Sequence, residues 1–226
     1  RPEDFRAILD RGIAVLSIDA RGQGGATPDR ARSDGNTLYA AGLADPKTSY
    51  LLDLTVDALL AVRLARSLSE ADPDGAPARI LVRGGSQGGA LALLAAALDP
   101  AAVRACLCDV PSGCRPDVRV LLGAGVYGRV RELLAAHPDR TDEVLRTLSY
   151  FDLVHLAPRI RCPVFASAGL ADDVCPAGLF LQAYQRIPAP KQVILYPEAG
   201  HEGGGDRHEL AQREWIDQWL APQLAK

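Results

Sequence analysis

The 226-residue sequence has no methionine, few aromatic residues and no long apolar run. No uninterrupted apolar stretch approaches the roughly 20 residues that cross a bilayer, so no membrane span is predicted. Lys and Arg are scattered and the net charge is −3, which disfavours nucleic acid and anionic membrane surfaces as partners. No basic-then-apolar leader is present. Because the chain begins at Arg1 and lacks Met, we expect its natural N-terminus to lie outside this sequence.

Cysteine is also scarce, and its number is odd. Five cysteines in a chain of this length argue against a disulfide framework, and the spacing of Cys106 and Cys108 is wrong for a zinc knuckle. We therefore predict no metal site and expect mostly small, buried, apolar thiols in a reducing compartment. The cysteines are Cys106, Cys108, Cys114, Cys162 and Cys175.

Strand-like and helix-like patterns alternate along the chain, which predicts a single α/β domain over residues 1–226. With 48% hydrophobic residues, the chain can bury one substantial core. A helix closed by Gly12 precedes the first strand, and a polar loop covers 20–45. Residues 111–158 are predicted to be a helical insertion over a largely parallel sheet. The predicted strands are 13–19, 80–82, 104–109, 163–169 and 191–197, and the other predicted helices are 46–70, 87–98, 179–187 and 206–224.

The stretch RILVRGGSQGG, residues 79–89, places one serine among four glycines between a strand pattern and a helix pattern. A strand that turns directly into a helix crowds neighbouring backbones, and glycines relieve those contacts. The pattern Gly84-x-Ser86-x-Gly88 is that of a nucleophile elbow, in which the serine oxygen is exposed at the end of the strand. A phosphate-binding or purely structural glycine turn is the alternative, but no Lys follows the glycines.

A serine nucleophile needs a histidine base and a carboxylate that orients the base. In proteins whose serine lies on such a strand-to-helix turn, the acid follows the serine along the chain and the histidine follows the acid. Asp172 and Asp173 follow the strand 163–169, and His201 follows the strand 191–197. Asp172 is preferred because the turn from residue 169 directs the first acid back toward His201. Asp109, at the end of an earlier strand, is the remaining alternative.

The other three histidines fit the role of base less well. His137 and His155 are interpreted as surface or local structural residues, and His208 lies in the last helix. The glycines at 203–205 are expected to give His201 a flexible loop. Because these glycines also break the helix that would align His201 with His208, a zinc site on HEGGGDRH is disfavoured.

Six stretches of the sequence form a recognisable set: ARGQGG, GGSQGG, LCDVP, TLSYFD, GLADDVCP and HEGGG. Together they resemble the acetyl xylan esterases and cephalosporin C deacetylases of carbohydrate esterase family seven. They occur in the family's order and extend from Ala20 to Gly205. The resemblance implies an α/β-hydrolase fold, here with the N-terminal strands missing, and the catalytic residues Ser86, Asp172 and His201. It also implies a cofactor-free, cytoplasmic enzyme that deacetylates short acetylated xylo-oligosaccharides and related small esters, as a homo-oligomer, a hexamer built from dimers.

The backbone N–H of Gln87 is expected to donate to the oxyanion, because it follows the nucleophile. A second donor is expected from a family segment that would precede this chain. Arg21, Gln23 and Pro111 are candidate substrate-binding residues, although a structural brace is the favoured role of Arg21.

The sequence departs from the family at two places. Ala26 stands where the family has Ser, and Ser112-Gly113 replaces bulky residues. If those side chains wall the acyl pocket, the pocket is wider and a strict preference for acetyl is not expected.

Two other functions are compatible with these motifs. One is a different serine hydrolase on the same fold, such as a prolyl-oligopeptidase-like peptidase or a dienelactone hydrolase. The other is a non-catalytic binding protein that has kept the hydrolase scaffold. The presence of all three triad residue types favours an enzyme.

Overall fold

The computed structural model of the protein describes residues 5–23, 38–71, 79–123 and 125–224. The strands are β1 (Ile80–Gly85), β2 (Val103–Asp109), β3 (Val164–Gly169) and β4 (Lys191–Tyr196). The helices are α1 (Arg6–Leu9), α2 (Tyr50–Glu70), α3 (Gln87–Leu98), α4 (Pro116–Leu122), α5 (Tyr127–Ala136), α6 (Thr141–Ser149), α7 (Leu153–Leu156), α8 (Ala177–Gln185) and α9 (Gly205–Leu224). Short 3₁₀ turns occupy Leu38–Ala40, Pro138–Arg140 and Ala157–Arg159.

The four described strands form one parallel sheet in the order β1-β2-β3-β4. Gly85 pairs with Asp109, Asp109 with Ser167, and Gly169 with Tyr196. All four strands therefore end at the same edge of the sheet, and the loops that follow them meet there.

Helices cover both faces of the sheet, and alternate residues of each strand point to opposite faces. Cys106 and Cys108 of β2 pack with α3, α7 and α8 on one face. Leu107 and Phe165 pack with Ile216 of α9 on the other. A third apolar cluster joins α2 to α4, α5 and α6; it includes Tyr39, Tyr50, Tyr127, Val130 and Leu148.

Helix α2 shows why one predicted boundary moved. The predicted helix began at Pro46, but the helix begins at Tyr50, because the Ser49 hydroxyl accepts a hydrogen bond from the Leu52 N–H and caps it. Helix α3 has the predicted bounds. All five cysteines are free and buried, as predicted.

The predicted strand at 13–19 is wrong. These residues pair with none of the four described strands, and Val15, Leu16 and Ile18 are exposed. A short apolar run with β-branched residues has β propensity, but a strand also needs a pairing partner. The region 111–158 holds α4 to α7 and no strand among its described residues. None of the described helices combines the length and apolar character needed to cross a membrane.

Candidate active site

The nucleophile elbow lies between β1 and α3. Ser86 has φ 53° and ψ −116°, a conformation that L residues rarely adopt, and its N–H donates to the Asp109 carbonyl at 2.8 Å. A Cβ atom on Gly84 would lie 2.3 Å from the backbone carbon of Gly88, so only glycine fits there. A Cβ on Gly88 would meet no described atom within 4 Å. The close approach at Gly84 is thus the steric requirement of this turn.

The acid loop follows β3 and buries the Asp172 carboxylate completely. Its Oδ1 accepts hydrogen bonds from the N–H groups of Val174 and Cys175, both at 2.8 Å. Asp173, by contrast, is exposed. The loop therefore turns Asp172 inward and Asp173 toward solvent.

The base loop follows β4 and carries His201 into α9. Gly203, Gly204 and Gly205 all have positive φ, at 54°, 93° and 48°. A Cβ on Gly204 would lie 2.4 Å from the Tyr196 ring, and one on Gly203 would lie 2.6 Å from the Val110 side chain. Gly203 and Gly204, for which the sequence analysis expected flexibility, therefore have a steric role in a close-packed turn, whereas Gly205 is required only by its positive φ.

The acid and base loops are in direct contact. A Cβ on Gly169 would lie 2.1 Å from the Gly200 carbonyl oxygen. The N–H of Leu170 donates to the Tyr196 carbonyl, and that of Ala171 to the Ala199 carbonyl, both at 3.0 Å. The absence of a side chain at Gly169 thus brings the two loops together.

Ser86, His201 and Asp172 form a continuous hydrogen-bonded relay. His201 Nε2 lies 3.0 Å from Ser86 Oγ, and His201 Nδ1 lies 2.9 Å from Asp172 Oδ2. Because an ionised carboxylate only accepts, the proton belongs on Nδ1, which leaves Nε2 free to accept the serine proton. The imidazole is 35% exposed, so a substrate can reach it from solvent.

Asp109, the alternative acid of the sequence analysis, has different partners. Its two carboxylate oxygens accept from Gln212 Nε2 at 2.7 and 2.8 Å, and Oδ1 lies 2.9 Å from His208 Nε2. His208 is buried, stacks on the Phe165 ring and contacts the Tyr196 hydroxyl through Nδ1 at 3.2 Å. This network ties α9 to the ends of β2 and β4.

The remaining histidines are separate from the relay. His137 and His155 are exposed. His201 and His208 contact different carboxylates. Among the residues that the structure describes, no group of three His, Cys, Asp or Glu side chains could hold a metal ion.

The predicted substrate-binding residues fall into two groups. Arg21 and Gln23 contact helix α2: the Arg21 guanidinium pairs with Asp57, its Nε donating at 2.6 Å, and Gln23 Nε2 donates to the Tyr50 hydroxyl at 3.0 Å. Pro111 is buried and lies next to the elbow, 3.1 Å from where a Cβ on Gly89 would be. Arg21 and Gln23 thus fix the loop to α2.

The positions that depart from the family lie partly at the elbow. The Ser112 N–H donates to the Ser86 carbonyl at 3.0 Å. Gln87, the predicted oxyanion donor, is the first residue of α3 and follows Ser86 directly. Gly113 has φ 78°, and a Cβ there would lie 3.2 Å from Ala90 and 3.4 Å from Leu153, so this backbone requires glycine. Ala26 lies outside the described residues.

Two residues near the relay were not singled out as site residues in the sequence. Cys175 Sγ lies 4.0 Å from Ser86 Oγ, and burial raises the pKa of this thiol, which keeps it protonated at neutral pH. Arg119 of α4 donates from Nη2 to the Val174 carbonyl at 2.7 Å. The DVCP part of the GLADDVCP stretch marks Cys175, whereas no motif marks Arg119.

The sheet is parallel, and a strained serine lies between a strand and a helix. An acid and then a histidine follow it at the same edge of the sheet, and this arrangement defines the α/β-hydrolases. The sequence profile of the acetyl xylan esterase (AXE1) family matches residues 3–219, so the chain belongs to that family.

Three relatives illustrate the match. The acetyl esterase Axe7A of Xylanibacter ruminicola is 35% identical over 168 residues, which are 74% of this chain and 36% of the relative. The acetyl xylan esterase from Paenibacillus sp. R4 is 35% identical with a TM-score of 0.86, over 96% of this chain and 69% of that one. Acetyl xylan esterase 1 from Thermoanaerobacterium sp. JW/SL YS485 is 29% identical with a TM-score of 0.80, over 93% and 68%. The chain thus spans about a third of the length of the curated relative.

Proposed function

We propose that this protein is a serine esterase that removes acetyl groups from short acetylated xylo-oligosaccharides and from related small esters such as cephalosporin C. The relay of Ser86, His201 and Asp172 is the observation that carries the proposal. Its two hydrogen bonds, at 3.0 and 2.9 Å, are short enough for the base to take the serine proton and for the acid to orient the base. Membership of the acetyl xylan esterase family supports the choice of an acetyl ester as substrate.

In the first half-reaction, Ser86 Oγ bonds to the acetyl carbonyl carbon while His201 Nε2 takes the hydroxyl proton. Asp172 stabilises the imidazolium through Nδ1–H. The carbonyl oxygen becomes an oxyanion, to which the backbone N–H of Gln87 donates, at the N-terminus of α3. When the tetrahedral intermediate collapses, the C–O bond to the sugar breaks and the departing sugar oxygen takes the proton from Nε2.

The second half-reaction releases the acetyl group. A water molecule gives its proton to His201 Nε2 and bonds to the acetyl carbon of the acyl-enzyme. Collapse of this second intermediate releases acetic acid and returns the proton to Ser86 Oγ. The cycle consumes one water molecule per ester and needs no cofactor.

Residues 112 and 113, where this chain departs from the family, are candidate walls of the acyl pocket. Ser112 is buried and its N–H donates to the Ser86 carbonyl, and its side chain is smaller than the bulky residue of the family, so the space beside the nucleophile is larger at this position. We expect the protein to hydrolyse butyrate esters in addition to acetate esters. The family resemblance further suggests a cytoplasmic hexamer built from dimers, which light scattering and cell fractionation would test.

The deciding experiment compares ester and amide substrates on the purified protein and on Ser86→Ala. We expect hydrolysis of 4-nitrophenyl acetate, acetylated xylose and cephalosporin C, with a loss of at least about 10⁴-fold in the variant. A fluorophosphonate probe should label Ser86 in the wild type. Wild-type turnover by Ser86→Ala would refute the assignment of the nucleophile. Fast cleavage of a peptide anilide without ester turnover would indicate a peptidase, and absence of labelling would indicate a binding protein.

A further inference from the structure

Arg119 of α4 is a buried cation beside the acid loop. Only 2% of the residue is exposed. Its guanidinium carbon lies 4.5 Å from the centre of the Tyr127 ring, and Nη2 donates to the Val174 carbonyl oxygen at 2.7 Å. The Tyr127 ring and the acid loop therefore hold the guanidinium from two sides.

The carbonyl that Arg119 contacts belongs to the same peptide group as the N–H of Cys175. That N–H donates to Asp172 Oδ1 at 2.8 Å. One planar peptide group thus has the Arg119 cation at its oxygen and the Asp172 carboxylate at its nitrogen. This arrangement polarises the peptide and strengthens its hydrogen bond to the carboxylate.

Packing alone does not account for an arginine at this position. Nε and Nη1 of Arg119 have no hydrogen-bond partner among the residues that the structure describes. Burying an incompletely paired cation is unfavourable, and an apolar side chain of similar volume is often at least as stable. A buried guanidinium that is only partly paired is therefore better explained by a role in the site than by a contribution to stability.

We propose that Arg119 is a positioning residue that orients the catalytic acid through the Val174–Cys175 peptide group. The inference rests on the proposed roles of Asp172 and His201. Arg119 fixes the rotation of this peptide, so that Asp172 Oδ1 stays bonded to the loop and Oδ2 stays aimed at His201 Nδ1. Because Arg119 acts through Asp172 and contacts no reacting atom, it changes turnover and leaves substrate binding unaffected.

The test compares Arg119→Met with Arg119→Lys on the purified protein, using kcat and KM for 4-nitrophenyl acetate and the thermal midpoint. We expect R119M to lower kcat about 10- to 100-fold, as supporting residues around other catalytic groups do, with KM unchanged and a midpoint no lower than the wild type. R119K keeps a cation with a donor and should recover most of the loss. Arg131→Met is the matched control, because Arg131 on α5 also donates to a backbone carbonyl, that of Leu122, but is exposed.

A double-mutant cycle makes the test independent of any change in stability. In an Asp172→Asn background, R119M should cause no further loss in the rate of fluorophosphonate labelling, since Arg119 acts through Asp172. Losses that multiply, or an R119M kcat equal to the wild type, would overturn the inference. So would a folded R119K that is as slow as R119M. If instead the wild type neither hydrolyses esters nor labels at Ser86, the proposed function itself fails.

Discussion

The elbow offers a matched pair of one-methyl substitutions, Gly84→Ala and Gly88→Ala. A methyl group on Gly84 would lie 2.3, 2.4 and 2.8 Å from backbone atoms of Gly88. Ordinary contact begins at 3.4 Å, so the first turn of α3 must move away by about 1.1 Å. The same methyl on Gly88 meets no described atom within 4 Å. The two variants therefore differ in contact and not in chemistry.

The magnitudes follow from these distances. Overpacking against backbone costs about 1–3 kcal/mol or more, and we expect G84A to lose about 3 kcal/mol because the contacting atoms cannot rotate away. A misplacement of about 1 Å at a reacting group costs about 10²-fold in rate, so labelling of Ser86 by a fluorophosphonate should slow by at least that factor. G88A should be as stable as the wild type or up to about 1 kcal/mol more stable, because Ala is a better helix former than Gly.

Urea unfolding followed by far-ultraviolet circular dichroism gives the stabilities, and the labelling rate gives the reactivity of the nucleophile. The reasoning would be refuted by a G84A variant as stable and reactive as the wild type. It would equally be refuted by a G88A variant destabilised as much as G84A, since a Cβ at position 88 has no described atom within 4 Å.

Three other perturbations have defined outcomes. Asp172→Asn should lower kcat for 4-nitrophenyl acetate by about 10⁴-fold, because the wrong histidine tautomer is favoured, whereas Asp173→Asn should retain activity. His208→Leu leaves the Tyr196 hydroxyl without its partner and the Asp109 carboxylate with Gln212 alone, and should lower the free energy of unfolding in urea by about 2–3 kcal/mol, with Tyr196→Phe costing about 1 kcal/mol. Burial raises the pKa of the Cys162 thiol to about 12, so iodoacetamide at pH 8 should label it in urea and not in the native protein. Because only the unfolded thiol ionises near its ordinary pKa, stability should fall as the pH rises from about 9 to 12, which urea midpoints would show.

The parts of the fold that depend on local chemistry were predictable from the sequence. Helix α3 has its predicted bounds because an Ala- and Leu-rich run without β-branched residues follows a glycine turn. The segment 13–19 was mispredicted because pairing is not local: its apolar residues fit a strand, yet none of the four described strands pairs with it.

The relay could be predicted from topology. Parallel strands all end at one edge, so residues directly after three strands converge even though Ser86 and His201 are 115 positions apart. The choice between Asp172 and Asp173 depended on the direction of a loop, which backbone hydrogen bonds from Val174 and Cys175 determine. Arg119 could not be foreseen, because it contacts a carbonyl 55 positions away on a loop with no charge pattern that points to it.

The contact between Gly169 and Gly200 bears on which substitutions the active site can accept. The acid and base loops are held by the pairing of β3 with β4, whereas the serine comes from the junction of β1 and α3. The histidine and its carboxylate are therefore positioned by different elements from those that position the serine nucleophile. Substitutions at the junction can replace the attacking group while an oriented imidazole and its carboxylate stay in place, ready to activate a water molecule directly.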